Sequence, residues 1–323
     1  MQAVYAASIN PDQPLAGLVV GERPEPVLEA GWTMVRVKAA ALNHHDLWSL
    51  RGVGLAAEQL PMTLGTDAAG VDVETGEAVI VHSVISSTDW RGDETLDPRR
   101  TLFSEKHQGT MAELVAVPRR NLVPKPEGLS YAEAACLPTA WLTAYRMLFV
   151  NGQARPGQTV LVQGATGGVA SAAIALARAA GCRVWVTART DAKRAVALDL
   201  GAHAAFATGT RLPEPVDLVV ETVGEATWAH SVRSLRPGGT VVISGATTGA
   251  NPPAILNRVF FLQLRIIGST MGTRAELGEL LTFLASTGLR PRIDREVPLA
   301  DARGAFAAME AGELVGKAVL TVA

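Results

Sequence analysis

Residues Thr159–Ala170, which read TVLVQGATGGVA, decide the fold of this 323-residue chain. The stretch opens with an uninterrupted apolar run, which is typical of a strand buried on both faces of a parallel sheet. A turn of small residues follows, and an alanine-rich helix is predicted to begin directly after it. This order lets a backbone approach a pyrophosphate and presents free helical N–H groups to its charge. The turn therefore predicts a dinucleotide site formed by Gly164, Ala165, Thr166, Gly167, Gly168 and Val169.

Strands and helices alternate from about residue 130 onward. After the first strand, further strands are predicted over 183–187, 218–221, 240–244 and 264–268, with helices between them. This alternation is typical of a doubly wound parallel sheet. The first 120 or so residues instead show short apolar runs separated by Gly and Pro, and they predict an irregular β-rich region. The chain is therefore expected to be an α/β protein of two domains, ending in a helix over 274–287 and a strand over 318–322.

The composition excludes several functional classes. The net charge of −2 disfavours a nucleic-acid partner, because phosphate binding needs a surplus of basic residues. Two cysteines, Cys136 and Cys182, cannot form a disulfide framework, and we expect them to be buried in a protein of a reducing compartment. No apolar run reaches the roughly 18 residues that span a membrane, and no signal peptide is evident. These features predict a cytoplasmic enzyme with no membrane contact.

The end of the second strand of the doubly wound sheet selects between the two nicotinamide dinucleotides. NAD sites place Asp or Glu there, to accept hydrogen bonds from the ribose hydroxyls. This chain has Ala188 and Arg189 at that place and Lys193 shortly after, and both cations are suited to a 2′-phosphate. Asp191 is expected to cap the next helix instead. We therefore predict that the cofactor is NADPH.

Residues 84–109 form a long polar stretch inside the β-rich region. One interpretation is a solvated surface insertion. The other is a lid or an interface segment, because loops of this length in compact domains often carry function.

Several segments together resemble one superfamily. The chain is similar, over nearly its whole length, to the medium-chain dehydrogenase/reductases, and in particular to their zinc-free, quinone-oxidoreductase-like branch. The resemblance is carried by residues 41–47 (ALNHHDL), 64–70 (LGTDAAG), 137–145 (LPTAWLTAY), the glycine turn, 221–224 (ETVG) and 316–320 (GKAVL). It implies a GroES-like catalytic domain built from residues 1–122 and 273–323, with a Rossmann domain inserted at 123–272. It also implies a homodimer joined through the strand over 264–268, at the edge of the Rossmann sheet.

Zinc-dependent members of this superfamily hold the metal with a Cys, a His and a Cys or Glu. The matching positions in this chain hold Asn43, Thr66 and Thr139. None of these side chains is a good zinc ligand, since structural and catalytic zinc sites use thiolate, imidazole and carboxylate donors. The resemblance therefore implies a site without zinc. An alternative ligand set of His44, His45 and Asp67 stays open, although adjacent histidines on a strand point apart.

Chemistry without zinc favours some substrates over others. Oxidation of an alcohol needs a group that stabilises an alkoxide, whereas a quinone or an α,β-unsaturated carbonyl spreads the developing charge by conjugation. The enzyme then aligns NADPH with the substrate and offers a hydrogen bond to the enolate oxygen. By the resemblance, Asn43 lies beside the nicotinamide and is the candidate for that bond. His44 and His45 are the candidates for the proton donor.

The remaining cofactor positions also come from the resemblance and from the strand ends, where α/β sheets bind ligands. Thr143 and Val169 match residues that pack on the nicotinamide. The positions that follow strand ends are Thr222, Gly245, Ala246, Ser269 and Met271. Two other functions stay open: an alcohol dehydrogenase that uses a metal unconventionally, and a non-catalytic sensor that binds NADPH.

Overall fold

A computed structural model describes all 323 residues, Met1–Ala323. The strands are β1 (Gln2–Ala6), β2 (Leu18–Glu22), β3 (Trp32–Ala41), β4 (Met62–Thr63), β5 (Asp67–Asp72), β6 (Ala78–Val81), β7 (Val84–Ile85), β8 (Thr101–Leu102), β9 (Leu114–Pro118), β10 (Leu122–Pro124), β11 (Thr159–Gln163), β12 (Arg183–Ala188), β13 (Ala204–Ala207), β14 (Val216–Glu221), β15 (Leu235–Ile243), β16 (Arg265–Gly268), β17 (Ile293–Pro298) and β18 (Lys317–Thr321). The α-helices are α1 (His44–Leu50), α2 (Tyr131–Ala135), α3 (Leu142–Tyr145), α4 (Gly168–Ala179), α5 (Asp191–Asp199), α6 (Glu225–Ser234), α7 (Leu256–Phe261), α8 (Arg274–Thr287) and α9 (Ala302–Glu310). None of these helices is long and apolar enough to cross a membrane.

Contacts divide the chain into two compact units. The first unit contains Met1–Ala140, Met271–Phe283 and Arg290–Ala323, and the second contains Trp141–Thr270 and Leu284–Leu289. Residues 123–140 therefore belong to the first unit, whereas the sequence assigned them to the Rossmann domain. The physical reason is that α2 packs on β3, β5 and β18, all of which are strands of the first unit. The apolar helix pattern of this segment says nothing about which sheet it covers.

The first unit is built on a seven-stranded sheet of order β10-β6-β5-β3-β18-β17, with β9 also paired to β3, and on a three-stranded sheet of order β2-β1-β4. The C-terminal strand β18 pairs antiparallel with β3, so that Val319 lies opposite Ala41. Small residues allow the central strands to approach closely. A Cβ atom added at Gly70 would lie 2.2 Å from the backbone oxygen of Arg36. Strand β3 is thus held from both sides, and the loop after it is placed accurately.

The second unit contains the doubly wound sheet that the sequence predicts. Its six strands are all parallel, in the order β13-β12-β11-β14-β15-β16. Strand β11 is central and wholly buried, as its apolar run requires. It pairs with β12 on one side and β14 on the other, which creates the switch point where such sheets bind ligands. The predicted α/β fold is confirmed.

Helix prediction was best where the pattern was long. Helix α8 has the predicted bounds 274–287. The sequence analysis missed α7 and α9, which are short, and it missed α1, because it placed His44 and His45 on a strand. The helical run before β11 follows an apolar helical pattern, but this pattern does not reveal that the run is distorted. That run contains π-helical segments at Leu137–Trp141 and Arg146–Asn151. Such segments often occur at functional sites, and the first of them carries Thr139.

Candidate active site

The glycine turn of the second unit has a geometry that suits an anion. Gly164 adopts a positive φ of 84°, which ordinary side chains rarely tolerate, and its N–H donates to the carbonyl of Thr187. Gly167 is the N-cap of α4, and no side chain caps this helix. The first N–H groups of a twelve-residue helix are therefore free to meet an anion. A Cβ atom added at Gly167 would meet nothing within 4 Å, so the space above the turn is open.

The end of β12 carries the positive charge that the sequence predicts. Ala188 is the buried last residue of this strand, and Arg189 after it is exposed and makes no ion pair. The helix cap differs from the prediction: Thr190 accepts from the N–H of Lys193, while Asp191 forms an ion pair with Arg194. Asp191 is thus neutralised by a neighbour, and Arg189 stays available for a ligand.

The remaining cofactor candidates are distributed over both units. Thr143, Thr222, Gly245, Ala246 and Ser269 belong to the second unit, and Met271 belongs to the first. The hydroxyl of Ser269 is buried and has no hydrogen-bond partner. A buried hydroxyl without a hydrogen-bond partner is unusual, and it suits a ligand that would supply one. Since this hydroxyl follows β16 at the ligand edge, the residues present fit a bound nicotinamide dinucleotide.

Met271 is held in an uncommon backbone conformation. Its φ is 51°, which is rare for a side chain of this size. The carbonyl of the next residue, Gly272, accepts a hydrogen bond of 2.9 Å from Nε2 of His82 in the first unit. Burial lowers the pKa of His82 to about 4, with a contribution from the charge of Arg274, although the bond to Gly272 acts in the opposite direction. A neutral buried histidine therefore supports this turn.

Beneath the ligand edge of the second unit lies a polar network that the sequence analysis missed. Glu221 is wholly buried, and its carboxylate accepts hydrogen bonds from the backbone of Val223 and Gly224. It also accepts from the hydroxyls of Thr227 and Ser231. These bonds fix the loop that follows β14, which contains Thr222. The ETVG motif at 221–224 therefore contains Glu221, whose buried carboxylate holds this loop in place through its hydrogen bonds.

The residues that match the zinc positions meet in the first unit, around one buried carboxylate. We call this group the Asp67 cluster, and its members are Asn43, Thr66, Asp67, Ser83, Thr139 and Lys317. Asp67 accepts from Asn43 Nδ2 at 2.8 Å, from the hydroxyl of Thr139 at 2.6 Å and from that of Ser83 at 3.3 Å. The sequence analysis identified Asn43, Thr66 and Thr139 as one site, and the structure brings them together.

Every polar hydrogen of the cluster is directed inward. Asn43 uses its second amide hydrogen on the hydroxyl of Thr66 at 3.1 Å, and that hydroxyl lies 3.1 Å from Thr139 Oγ1. Because the hydroxyl hydrogen of Thr139 goes to Asp67, Thr66 must be the donor in the latter pair. Both amide hydrogens of Asn43 are therefore committed. Its role as the direct donor to an enolate stays a prediction, and it requires one of these two bonds to open.

Lys317 is a buried member of the cluster that the sequence analysis did not name as a site residue. Its ammonium donates to the carbonyl of Leu42 at 2.5 Å and to Asn43 Oδ1 at 2.6 Å, and it lies 3.5 Å from Asp67 Oδ2. The side chain is only 3% exposed. Burial raises the pKa of Asp67, while Lys317 and the three hydrogen-bond donors favour its charged form. The GKAVL motif at 316–320 contains Lys317, but the motif does not indicate that Lys317 pairs with Asp67, which lies 250 positions earlier in the sequence.

The donor set of the cluster does not fit a zinc ion. Its side chains are an amide, three hydroxyls, one carboxylate and one ammonium, with neither thiolate nor imidazole. The carboxylate is already bonded to three donors and paired with the ammonium. No group of three or more His, Cys, Asp or Glu side chains in the structure is arranged to hold a metal ion.

The two candidate histidines have different surroundings. His44 is exposed and makes no hydrogen bond within the protein, and partial desolvation together with the charges of Lys317 and Arg51 lowers its pKa. His45 pairs through Nε2 with Glu105 at 3.1 Å. Burial acts to lower the pKa of His45, but the bond to Glu105 and the nearby carboxylates outweigh it and raise the pKa. His45 thus ties the polar stretch 84–109 to α1.

The polar stretch 84–109 is more than a solvated insertion. Phe103, Ser104 and Asp97 are wholly buried, and Asp97 accepts hydrogen bonds from both the backbone and the hydroxyl of Ser87. Asp46, at the start of α1, accepts hydrogen bonds from the backbone N–H groups of Asn43 and Gly65. Burial raises the pKa of Asp46 to about 6.

A doubly wound dinucleotide domain joined to a β-rich unit with such a cluster defines an oxidoreductase of the dehydrogenase class. Two family profiles agree: "Alcohol dehydrogenase GroES-like domain" matches residues 29–127, and "Zinc-binding dehydrogenase" matches residues 168–286. The chain belongs to the medium-chain dehydrogenase/reductase superfamily.

Individual relatives cover almost the whole chain. An alcohol dehydrogenase of Geobacillus stearothermophilus is 30% identical, over 94% of this chain and 96% of its own length. The acryloyl-coenzyme A reductase of Metallosphaera sedula is 28% identical, over 94% and 96%. Among solved structures, an NAD-dependent alcohol dehydrogenase is 33% identical with a TM-score of 0.91 and covers 100% of both chains. The 2-octenoyl-CoA carboxylase reductase CinF, in complex with NADP and 2-octenoyl-CoA, is 25% identical with a TM-score of 0.90, over 99% and 87%.

Proposed function

We propose that this chain is an NADPH-dependent reductase of quinones or α,β-unsaturated carbonyl compounds, and that it works without a catalytic zinc. The observation that carries the proposal is the donor set of the Asp67 cluster. The positions that hold zinc ligands in zinc-dependent members carry Asn43, Thr66 and Thr139, and their hydrogens are bonded to one another and to Asp67. These residues offer no Lewis acid for an alkoxide, so a conjugated acceptor is the substrate class that the site suits.

The glycine turn, Arg189 and the edge residues of the second unit would hold the cofactor, which supplies a hydride when it is bound. The uncapped N-terminus of α4 and the open space at Gly167 suit the pyrophosphate. Arg189 supports the choice of NADPH, because it is exposed, has no acidic partner and follows the strand where an acid would repel a 2′-phosphate. One similar structure is described as NAD-dependent, so the choice between the two dinucleotides needs its own measurement.

Two relatives support the substrate class. Acryloyl-coenzyme A and 2-octenoyl-CoA, which their names contain, are both α,β-unsaturated thioesters. Such a thioester is an activated alkene whose enolate is stabilised by conjugation. The substrate panel for this chain should therefore include enoyl thioesters beside quinones and simple enones.

The test is a steady-state assay of absorbance loss at the nicotinamide band, with NADPH and NADH each offered against that panel. We expect turnover of at least one conjugated acceptor, with NADPH preferred. Arg189→Asp should lower the preference for NADPH over NADH by about 100-fold, because it replaces an ion pair with a repulsion. Metal analysis of the purified chain completes the test, since one tightly held zinc per chain contradicts the proposal.

Alcohol dehydrogenase activity is the second candidate, because two close relatives carry that name. Oxidation of primary or secondary alcohols with NADP or NAD, measured on the same preparation, separates it from the first. Binding of NADPH without turnover of either panel would instead favour a sensor.

We also propose that the chain forms a homodimer through the edge of its Rossmann sheet. Strand β16 is an edge strand, and Ile266 on it is 42% exposed. Helix α7, just before it in the chain, exposes Leu256, Phe260 and Phe261 by 69%, 70% and 80%. An open strand edge beside a cluster of exposed apolar side chains suits a second copy of the same surface.

A further inference from the structure

One buried side chain connects the glycine turn of the second unit with the loop that follows β14. Gln163 is the last residue of β11, directly before Gly164, and it is 1% exposed. Its side-chain amide contacts a strand and a helix: Thr187 lies on β12, whereas His230 and Ser231 lie on α6. A buried amide with this many partners holds the elements that carry them in a fixed arrangement.

The partners determine the orientation of this amide. Nε2 of His230 lies 2.8 Å from the carbonyl oxygen of Thr210, which can only accept, so the neutral ring carries its hydrogen on Nε2. Nδ1 is then an acceptor, and it receives one amide hydrogen from Gln163 Nε2 at 2.9 Å. The other amide hydrogen goes to Ser231 Oγ at 2.9 Å, and the amide oxygen accepts from the hydroxyl of Thr187. A flipped amide would place its oxygen against the lone pair of Nδ1, so only this orientation satisfies every partner.

On one side, the amide holds the glycine turn through β12. Gln163 and Thr187 are paired neighbours on the parallel strands β11 and β12. The hydroxyl of Thr187 donates to the amide oxygen, while the carbonyl of the same residue accepts from the N–H of Gly164 at 2.9 Å. Ala188 and Arg189, the predicted contacts of the 2′-phosphate, follow Thr187 directly. Thr187 therefore ties the first glycine of the turn to the end of β12, and Gln163 fixes Thr187.

On the other side, the amide holds the loop 222–224 through α6. Ser231 accepts from Gln163 and uses its own hydrogen on Glu221 Oε2 at 2.5 Å. Glu221 in turn accepts from two backbone N–H groups of this loop, which contains the predicted cofactor contact Thr222. Each donor along this path has its own acceptor, so all the hydrogen bonds form together.

We propose that Gln163 is a positioning residue of the cofactor site. Its amide holds the glycine turn, the end of β12 and the loop 222–224 in the arrangement that binds a nicotinamide dinucleotide. It does so without contacting the cofactor, since every polar atom of the amide has a partner in the protein. The inference rests on the dinucleotide site of the proposed function. Loops that are already ordered leave the cofactor less conformational freedom to remove, so this network raises the affinity for the cofactor.

The first experiment replaces Gln163 by Met, which has a similar length but makes none of these hydrogen bonds. The free variant should populate the binding arrangement only in part, and its apparent dissociation constant rises by the inverse of that fraction. We expect the Kd for NADPH, or for NADH if the wild type binds that dinucleotide instead, to rise by at least about tenfold in a fluorescence titration. In the free variant the N–H of Gly164 should exchange with solvent faster than in the wild type, and saturating cofactor should restore its protection.

Thr159→Val is the matched control. Thr159 is a buried residue at the opposite end of β11, where its hydroxyl accepts from Arg183 Nε at 2.9 Å. This variant also removes a hydrogen-bond partner from the strand, but it should leave the Kd for the cofactor unchanged. A role of Gln163 in stability alone would lower the melting temperature of both variants and would move neither the Kd nor the exchange of Gly164.

The second experiment replaces Gln163 by Glu, which keeps an oxygen for the hydroxyl of Thr187 but has no hydrogen for His230 while it is ionised. Acid supplies that hydrogen, either on the carboxyl group or on Nδ1 of His230, and the bond between the two side chains forms again. The Kd of this variant relative to that of the wild type should therefore fall at least about fivefold from about pH 8 to about pH 6, whereas the ratio for Gln163→Met should stay constant. The charged residues around His230 and Ser231 are the same in all three proteins and cancel in this comparison; they are Arg211, Glu214, Glu221, Arg233 and Arg258.

The outcomes separate the inference from the function on which it rests. A Kd of Gln163→Met within about twofold of the wild type, or a ratio for Gln163→Glu that does not change with pH, overturns the positioning role and leaves the dinucleotide site standing. If neither variant folds, Thr187→Val decides the question, because it removes only the bond to the amide oxygen and should raise the Kd about threefold; an unchanged Kd overturns the role. A wild-type chain that binds neither NADPH nor NADH overturns the proposed function and this inference with it.

Discussion

His82 should make this protein sensitive to mild acid. The side chain is 1% exposed, and burial lowers its pKa to about 4, whereas a histidine of the unfolded chain titrates near 6.5. Between these two values the unfolded chain binds a proton that the folded chain does not bind. Stability contributed by neutral His82 is therefore complete above about pH 6.5 and is lost as the pH falls toward 4. Linkage gives a loss of about 2 kcal/mol between pH 7 and pH 5 from this residue alone.

The variant His82→Gln isolates this contribution. Glutamine offers an N–H to the carbonyl of Gly272 but does not titrate. We expect the unfolding free energy of the wild type, measured with urea by circular dichroism, to fall by about 2 kcal/mol relative to the variant between pH 7 and pH 5. The imidazole resonances of His82 should also stay those of the neutral ring until the pH approaches 4. Parallel loss of stability in the two proteins, or an ordinary titration of His82 near 6.5, would refute the reasoning.

Three further predictions concern the same two units. Burial raises the pKa of Asp46 to about 6, so the folded chain takes up a proton at this residue at a higher pH than the unfolded chain does. Mild acid therefore increases the stability that Asp46 contributes, whereas it decreases the stability that His82 contributes. The free energy of unfolding of the wild type, measured with urea, should rise by about 1 kcal/mol relative to that of Asp46→Asn from pH 7 to pH 5. If the two proteins differ by the same amount at both pH values, the prediction is wrong. Gly167→Ala should weaken NADPH binding about tenfold in a fluorescence titration, while Gly278→Ala, also facing open space, should not; equal affinities would argue against an anion site at the glycine turn. Replacing Phe260 and Phe261 together by Ser should shift sedimentation from dimer to monomer, and a variant that sediments as the wild type does would place the interface elsewhere.

Much of the cofactor domain could be predicted because its signals are local. An apolar strand, a glycine turn and a small-residue helix follow one another in twelve residues, and each is enforced by burial or by backbone space. The prediction failed where the deciding contact was not local. Asp191 is a residue type that often caps helices, yet Thr190 is the N-cap of α5 and Asp191 pairs with Arg194. Residues 123–140 have a helical pattern, but only packing on β3, β5 and β18 assigns them to the first unit.

The sequence by itself determined the superfamily and the parallel sheet, and it predicted the dinucleotide turn and a site without zinc ligands at Asn43, Thr66 and Thr139. These are statements about residue type at a motif position, and a single chain contains them. Only the tertiary structure decided what fills the site instead. Strand β18 returns to pair with β3, and this pairing carries the ammonium of Lys317 to within 3.5 Å of Asp67, across 250 positions of the sequence. Burial explains why the two residues are paired, because an ionised side chain that water solvates well needs an opposite charge or hydrogen-bond partners once it is removed from solvent.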